Sequence, residues 1–205
     1  MFTGIVEKVG IVQGLQSEDP KAFIRMTVGT GFSDLAIGES VAVDGVCLTI
    51  TALKKIDDGQ SASFDLSAET LEKTRFKNLE RESRVNLERS LQPTGRLSGH
   101  WVLGHADGIG AIDSIRRENE CTRLKIQVPK ALLRYAVSKG SMCIDGISLT
   151  INQVDDAAGT VEFMIIPHTW EHTTLQDRKI GDSVNLEADY LAKLVERLCQ
   201  TTIRT

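Results

Sequence analysis

The sequence predicts an all-β protein: two tandem antiparallel barrels followed by a single helix. Three observations carry this. The chain repeats itself, each half holds about six short β-branched runs, and in each half an Asp-Gly pair separates two of those runs. A chain of 205 residues has room for two domains of about 100 residues each.

The repeat is clearest around the Asp-Gly pairs. Residues 40–51, SVAVDGVCLTIT, align with residues 141–152, SMCIDGISLTIN, and six of the twelve positions are identical. Val85-Asn86-Leu87-Glu88 recurs as Val184-Asn185-Leu186-Glu187, and Glu69–Thr74 aligns with His168–Thr173. Gly4 and Gly10 match Gly104 and Gly110. The order is the same in both halves and the offset stays between 99 and 101, so the unit is a duplicated domain and not a short solenoid repeat.

In chain order, the expected strands of the first half are Ile5–Val12, Phe23–Val28, Val41–Asp44, Cys47–Thr51, Ala62–Leu66 and Arg84–Leu87. Those of the second half are Val102–Ile115, Thr122–Val128, the two runs flanking Asp145-Gly146, Val161–Ile166 and Ser183–Leu186. Asp-Gly between β-branched runs marks a tight hairpin. Closing six short strands into a barrel leaves no exposed edge. Helices are minor. Glu69–Asn78 has acids at its start and bases at its end, as the helix dipole prefers, and Pro129 suits the first turn of Pro129–Val137. The tail is the best helix: Asp189 can cap it, and Leu191, Leu194, Val195, Leu198 and Cys199 form one apolar stripe. Pro93–Gly99 reads as the linker, which gives units 1–95, 96–188 and 189–205.

Composition narrows the function. The net charge is −4, and cutting after Leu97 leaves 12 basic and 14 acidic residues in each part, so no basic face or tail suggests nucleic acid. No apolar run is long enough to span a membrane, and the start lacks the pattern of a signal peptide. Cys47, Cys121, Cys143 and Cys199 form no C-x-x-C pair and read as reduced thiols of a cytoplasmic protein. Phosphate-loop, dinucleotide and nucleophile-elbow motifs are absent. His168 and His172 are four apart, but Thr169 stands where a metalloprotease has Glu, and the matching first-half residues are Glu69 and Lys73; no metal is expected.

Each hairpin puts a thiol or hydroxyl beside its turn: Cys47 and Thr49, then Ser148 and Thr150. The two-residue period places each pair on one strand face, where it can meet a planar heterocycle or simply pack its methyls. His105 follows Gly104 where the first half has Ile5, and Lys139 stands opposite Gly38, so the halves have diverged at both places. A neutral imidazole at His105 could move protons near pH 7.

Met1-Phe2-Thr3-Gly4-Ile5-Val6-Glu7, the two Asp-Gly-x-[Cys/Ser]-Leu-Thr-Ile hairpins, Gly104-His105 and Ile166-Pro167-x-Thr169 together resemble the riboflavin synthase family, alpha-chain type, from Met1 to about Tyr190. That resemblance implies two six-stranded Greek-key barrels similar to flavin-reductase barrels, each binding one 6,7-dimethyl-8-ribityllumazine. It implies transfer of a four-carbon unit between the two ligands, giving riboflavin and a ribitylamino-pyrimidinedione, with no cofactor. It implies a homotrimer joined by C-terminal helices, with the reaction where the N-terminal barrel of one subunit faces the C-terminal barrel of its neighbour. Lumazine synthase is a candidate partner.

By the same resemblance the N-terminal barrel holds its ligand with Gly4, Ile5, Val6, Cys47, Leu48, Thr49, Asp65, Leu66, Ser67, Ala68, Glu69 and Thr70. The C-terminal barrel uses Gly104, His105, Ala106, Ser148, Leu149, Thr150, Met164, Ile165, Ile166, Pro167, His168 and Thr169. Lys139 reaches the ligand of a neighbouring subunit, and Phe2 lies near the reacting pair. An acid at Glu69 suits ribityl hydroxyls, and His168 occupies the equivalent place. His105 with Thr150 assists proton transfer, while Ser148 and Cys47 orient or add to the rings. The other function class with this fold is a non-catalytic lumazine or flavin carrier, which keeps only one binding barrel. A flavin reductase would need a nicotinamide-binding domain for which the two barrels leave no room.

Overall fold

A computed structural model describes residues 1–19 and 23–202. Strands β1 (Lys8–Asp19), β2 (Phe23–Gly29), β3 (Ser40–Val43), β4 (Val46–Ile56), β5 (Gly59–Leu66) and β6 (Arg84–Arg89) close into an antiparallel barrel in the order β1-β2-β5-β4-β3-β6. Strands β7 (Gly108–Glu118), β8 (Cys121–Gln127), β9 (Ser141–Ile144), β10 (Ile147–Asp155), β11 (Thr160–Ile165) and β12 (Ser183–Ala188) close into a second barrel in the same circular order. β3, β4 and β5 are a hairpin run, and β6 returns by a long connection to lie beside β3, which is the Greek-key pattern.

Each Asp-Gly pair makes the turn expected of it. Asp44 and Gly45 have φ of 43° and 74°, and Asp145 and Gly146 have 45° and 81°, so both central residues are left-handed, as a two-residue hairpin requires. Alternation along β4 and β10 then sends Leu48, Ile50, Leu149 and Ile151 inward and turns Cys47, Thr49, Ser148 and Thr150 outward. The first core gathers Met26, Val41, Phe64, Phe76 and Leu87, among others, and the second Leu124, Ile126, Phe163, Leu175 and Leu186.

Both barrels begin later than the apolar runs suggest. Residues 5–7 and 102–107 stand before β1 and β7, because the segments ahead of those strands hydrogen bond to buried glutamates and to the other barrel. The expected helix over Glu69–Asn78 is two pieces: α1 (Ala68–Lys73) and a 3₁₀ turn over Arg75–Asn78. Thr74 is extended between them and its hydroxyl accepts from the Phe76 N–H, which restarts the chain. Pro129–Val137 shrinks to α2 (Lys130–Leu133). The second barrel has its own counterpart of the split helix, α3 (Pro167–Glu171) and a 3₁₀ turn over Thr174–Asp177. α4 (Tyr190–Thr202) starts at Asp189, whose carboxylate accepts from the Leu191 N–H at 2.9 Å. No helix among the described residues is long and apolar enough to cross a membrane.

Candidate binding and catalytic site

The barrels meet along a junction that the repeat makes nearly two-fold. Gly45 and Gly146 are back to back: a Cβ on Gly45 would lie 2.6 Å from Gly146 N. Asn86 Nδ2 donates to Asp145 C=O and Asn185 Nδ2 to Asp44 C=O, at 2.8 and 2.9 Å. The Arg75 guanidinium bridges the buried Asp44 and Asp145 carboxylates, and Arg178 donates to Asp145 at 2.8 Å. Burial pushes the Asp44 carboxyl up to about 6, against the pull of Arg75. An interior charge cluster of this kind is tolerable because every member is paired.

The segments before β1 and β7 cross this junction. The Glu88 carboxylate accepts from Thr3 N–H at 2.7 Å and Gly4 N–H at 3.0 Å; Glu187 accepts from Leu103 N–H and Gly104 N–H at the same two distances. Desolvation raises both carboxyls above their ordinary value, with the backbone donors opposing it. Each clamped segment runs to the other barrel. Cys47 N–H donates to Gly104 C=O, and Ser148 N–H donates to Gly4 C=O, both at 2.8 Å. Ala106 packs against the first core and Val6 against the second.

This rearranges the residues expected at each site. The grouping of Gly4, Ile5 and Val6 with Cys47, and of Gly104, His105 and Ala106 with Ser148, does not form. The structure exchanges the two segments. One cleft, about 250 Å³, is lined by Cys47, Glu69, Thr70 and Lys73 of the first barrel together with Gly104, His105 and Ala106. His105 therefore lies with Cys47, and the expected pairing of His105 with Thr150 is not made within the chain. The reason is steric as well as electrostatic. Gly4 and Gly104, with φ of 77° and 79°, pass so close to the opposite hairpin that a Cβ would sit 2.7 Å from Ser148 Cβ and 2.6 Å from Cys47 Cβ.

Other expected residues divide by where they point. Leu48, Leu66, Leu149 and Ile165 are core side chains, so only their main chain can meet a ligand. Phe2, expected near the reacting pair, is fully buried at 0 % exposure with Ala42, Val102 and Cys143. It pairs with Val102 across the junction and supports Cys47 from behind. Asp65 is held by Arg25 at 2.8 Å. Ser67 caps α1, accepting from the Thr70 N–H at 3.1 Å, and α1 exposes Ala68 and Glu69. Met164 N–H donates to Asn152, and Ile166 precedes Pro167 at the start of α3, with Thr169 half-buried. His168 stacks on His172 with ring centroids 4.2 Å apart. Among the described residues no cluster of three or more His, Cys, Asp or Glu is placed to hold a metal. Lys139 occupies the left-handed region at φ 69°, where its repeat has Gly38 at 89°.

Sequence reasoning missed Glu88, Glu187, Asn86, Asn185 and His100. The signal for the first four was the polar pair inside Val-Asn-Leu-Glu, repeated in both halves of an otherwise apolar strand. His100 has no repeat counterpart that could have marked it.

The lumazine-binding domain model matches residues 3–90 and 103–189. Riboflavin synthase of Actinobacillus pleuropneumoniae is 40% identical over 197 residues, covering 96% of this chain and 89% of that protein. The riboflavin synthase of Mycobacterium bovis is 40% identical over 202 residues, covering 98% and 99%, and that of Bacillus subtilis is 34% identical over 197 residues, covering 96% and 89%. Among solved structures, LumP complexed with riboflavin aligns with TM-score 0.80 at 26% identity, covering 92% of this chain and 99% of that one. LumP complexed with 6,7-dimethyl-8-(1'-D-ribityl) lumazine shares the fold, with TM-score 0.76. The chain belongs to the riboflavin synthase family and carries the lumazine-binding domain twice.

Proposed function

We propose that this enzyme is a transferase that converts two molecules of 6,7-dimethyl-8-ribityllumazine into riboflavin and 5-amino-6-(D-ribitylamino)uracil. The observation that carries the reading is the duplication of the outward-facing hairpin site. Cys47 with Thr49 and Ser148 with Thr150 occupy equivalent places, and each is met by a clamped segment from the other barrel. A reaction that consumes two copies of one molecule fits a chain with two copies of one site. A carrier needs only one working barrel.

The first site comprises Cys47, Thr49, the stretch from Asp65 to Thr70, and Gly104, His105 and Ala106. The second comprises Ser148, Thr150, the stretch from Met164 to Thr169, and Gly4, Ile5 and Val6. The C7 methyl of a bound lumazine is acidic because the ring delocalises the carbanion left behind. A base and hydrogen-bond donors to the ring are enough to form it. Attack of that carbanion on the second lumazine and release of the four-carbon unit from its donor then close the new ring. Holding the two rings face to face supplies much of the acceleration. His105, beside Cys47, is suited to proton transfer at the first site.

The single-chain cleft of about 250 Å³ is small for a ligand of this size, which favours completion by a neighbour. α4 supports a trimer: Leu191, Leu194, Val195 and Leu198 are all exposed on the one chain. Lys139, held in a conformation that lysine rarely adopts, would reach the neighbour's ligand. We take 1–95, 96–188 and 189–205 as the two barrels and the trimerising tail; the last three residues lie outside the described residues. Four free cysteines suit the cytoplasm, and lumazine synthase remains the candidate partner.

Incubation with the lumazine tests the reading. Riboflavin should appear at one molecule per two lumazines consumed, with no added metal or redox cofactor. Binding without riboflavin formation would instead indicate a carrier.

A further inference from the structure

Ser148 has a neighbour that Cys47 lacks. The chain entering the second barrel lays Gly99 and His100 over it. His100 is 8 % exposed, its N–H donates to Thr3 C=O at 3.1 Å, and its Nδ1 lies 2.7 Å from Ser148 Oγ. Only glycine allows the approach: a Cβ on residue 99 would lie 2.0 Å from Thr3 O and 3.0 Å from Ser148 Oγ. Among the described residues the Cys47 thiol has no imidazole at hydrogen-bond distance.

A neutral imidazole carries its proton on one nitrogen. His100 Nε2 is buried without a hydrogen-bond partner among the described residues. A proton there would make an orphaned buried N–H, which folded proteins almost never contain; a bare lone pair is the lesser fault. The proton therefore belongs on Nδ1, where it has the serine oxygen to bond. Accepting the serine proton would instead place charge on a ring that burial already holds below its ordinary pKa.

We infer that His100 is held as the Nδ1–H tautomer and donates to Ser148 Oγ, so that the Ser148 hydroxyl hydrogen is turned toward the lumazine ring. Ser148 then acts as an oriented hydrogen-bond donor and not as a nucleophile activated by a base. His100 is a positioning residue. The orientation toward a ring rests on the function proposed above; the tautomer does not.

Two-bond ¹H–¹⁵N spectra of the histidine-labelled protein without ligand read the tautomer directly, with His100 identified by the signal missing from H100N. The expected result is a protonated Nδ1 and an unprotonated Nε2; the reverse assignment overturns the inference. The second arm is kinetic. H100A should lower kcat/KM about tenfold, the scale of one hydrogen bond. H100N, which offers an N–H at the Nδ1 position, should recover most of that loss, and the acceptor H100D should not. Recovery by H100D and not by H100N would show that the serine donates to position 100. If the position-100 variants fail to fold, His100 is the one signal that survives in each of H105N, H168N and H172N, and its tautomer still decides. If the protein binds no lumazine, the tautomer is still measured.

Discussion

At residue scale, Gly4 and Gly104 let each barrel's entry segment touch the other barrel's hairpin. Gly104→Ala puts a Cβ 2.6 Å from Cys47 Cβ on a backbone at φ 79°. The strained backbone alone should cost about 1–3 kcal/mol of stability, and kcat/KM should fall at least about tenfold as Cys47 and His105 move apart. Gly14→Ala, where no atom of the described residues lies within 4 Å of the added Cβ, is the control and should leave both near wild type in urea unfolding and turnover. Equal effects of the two would remove the steric argument. The outward thiol and hydroxyls were legible in the sequence, because Asp-Gly fixes the turn and alternation fixes the face. The partner of each was not. Gly4 and Gly104 align with each other in sequence, and nothing in that alignment says each serves the opposite barrel. That follows from Glu88, Glu187 and the junction, which are long-range contacts.

At the scale of elements, the strands read well and the helices less so. Alternating β-branched runs predicted all twelve strands, though β4 runs on to Ile56 and β1 to Asp19. The helix over Glu69–Asn78 broke at Thr74 because its hydroxyl competes for the backbone, accepting from the Phe76 N–H. The two site helices also differ in their starts. α1 is capped by Ser67, whereas α3 begins at Ile166-Pro167 with no side-chain cap. Ser67→Ala should therefore cost about 1 kcal/mol and weaken ligand binding at the first site alone. A titration with a non-reacting lumazine analogue should show one of two binding steps shifted. Weakening of both steps together would contradict separate site helices.

For the whole molecule, the junction sets the response to pH. The Asp44 carboxyl rises from 3.8 to about 6 on burial, so the native state keeps this proton to higher pH than the unfolded chain does. Between about pH 4 and pH 6 the native state binds more protons, and the contribution of this group to stability falls as pH rises. It is fully present below about 4 and lost above about 6. Asp44→Asn should abolish that fall, so the stability difference between wild type and variant, from urea unfolding at several pH values, should shift against wild type across the window. A shift in favour of wild type would mean that Arg75, and not burial, dominates. The duplication itself is legible in the sequence, and the tail's apolar stripe with it. The charge cluster that joins the barrels was hidden, because Asp44, Arg75, Asp145 and Arg178 are far apart in the chain. The proposed reaction needs two working lumazine sites per chain. Calorimetric titration with a lumazine analogue that cannot lose a C7-methyl proton counts them. Two analogues bound per chain is the predicted result, and saturation at one per chain would contradict it.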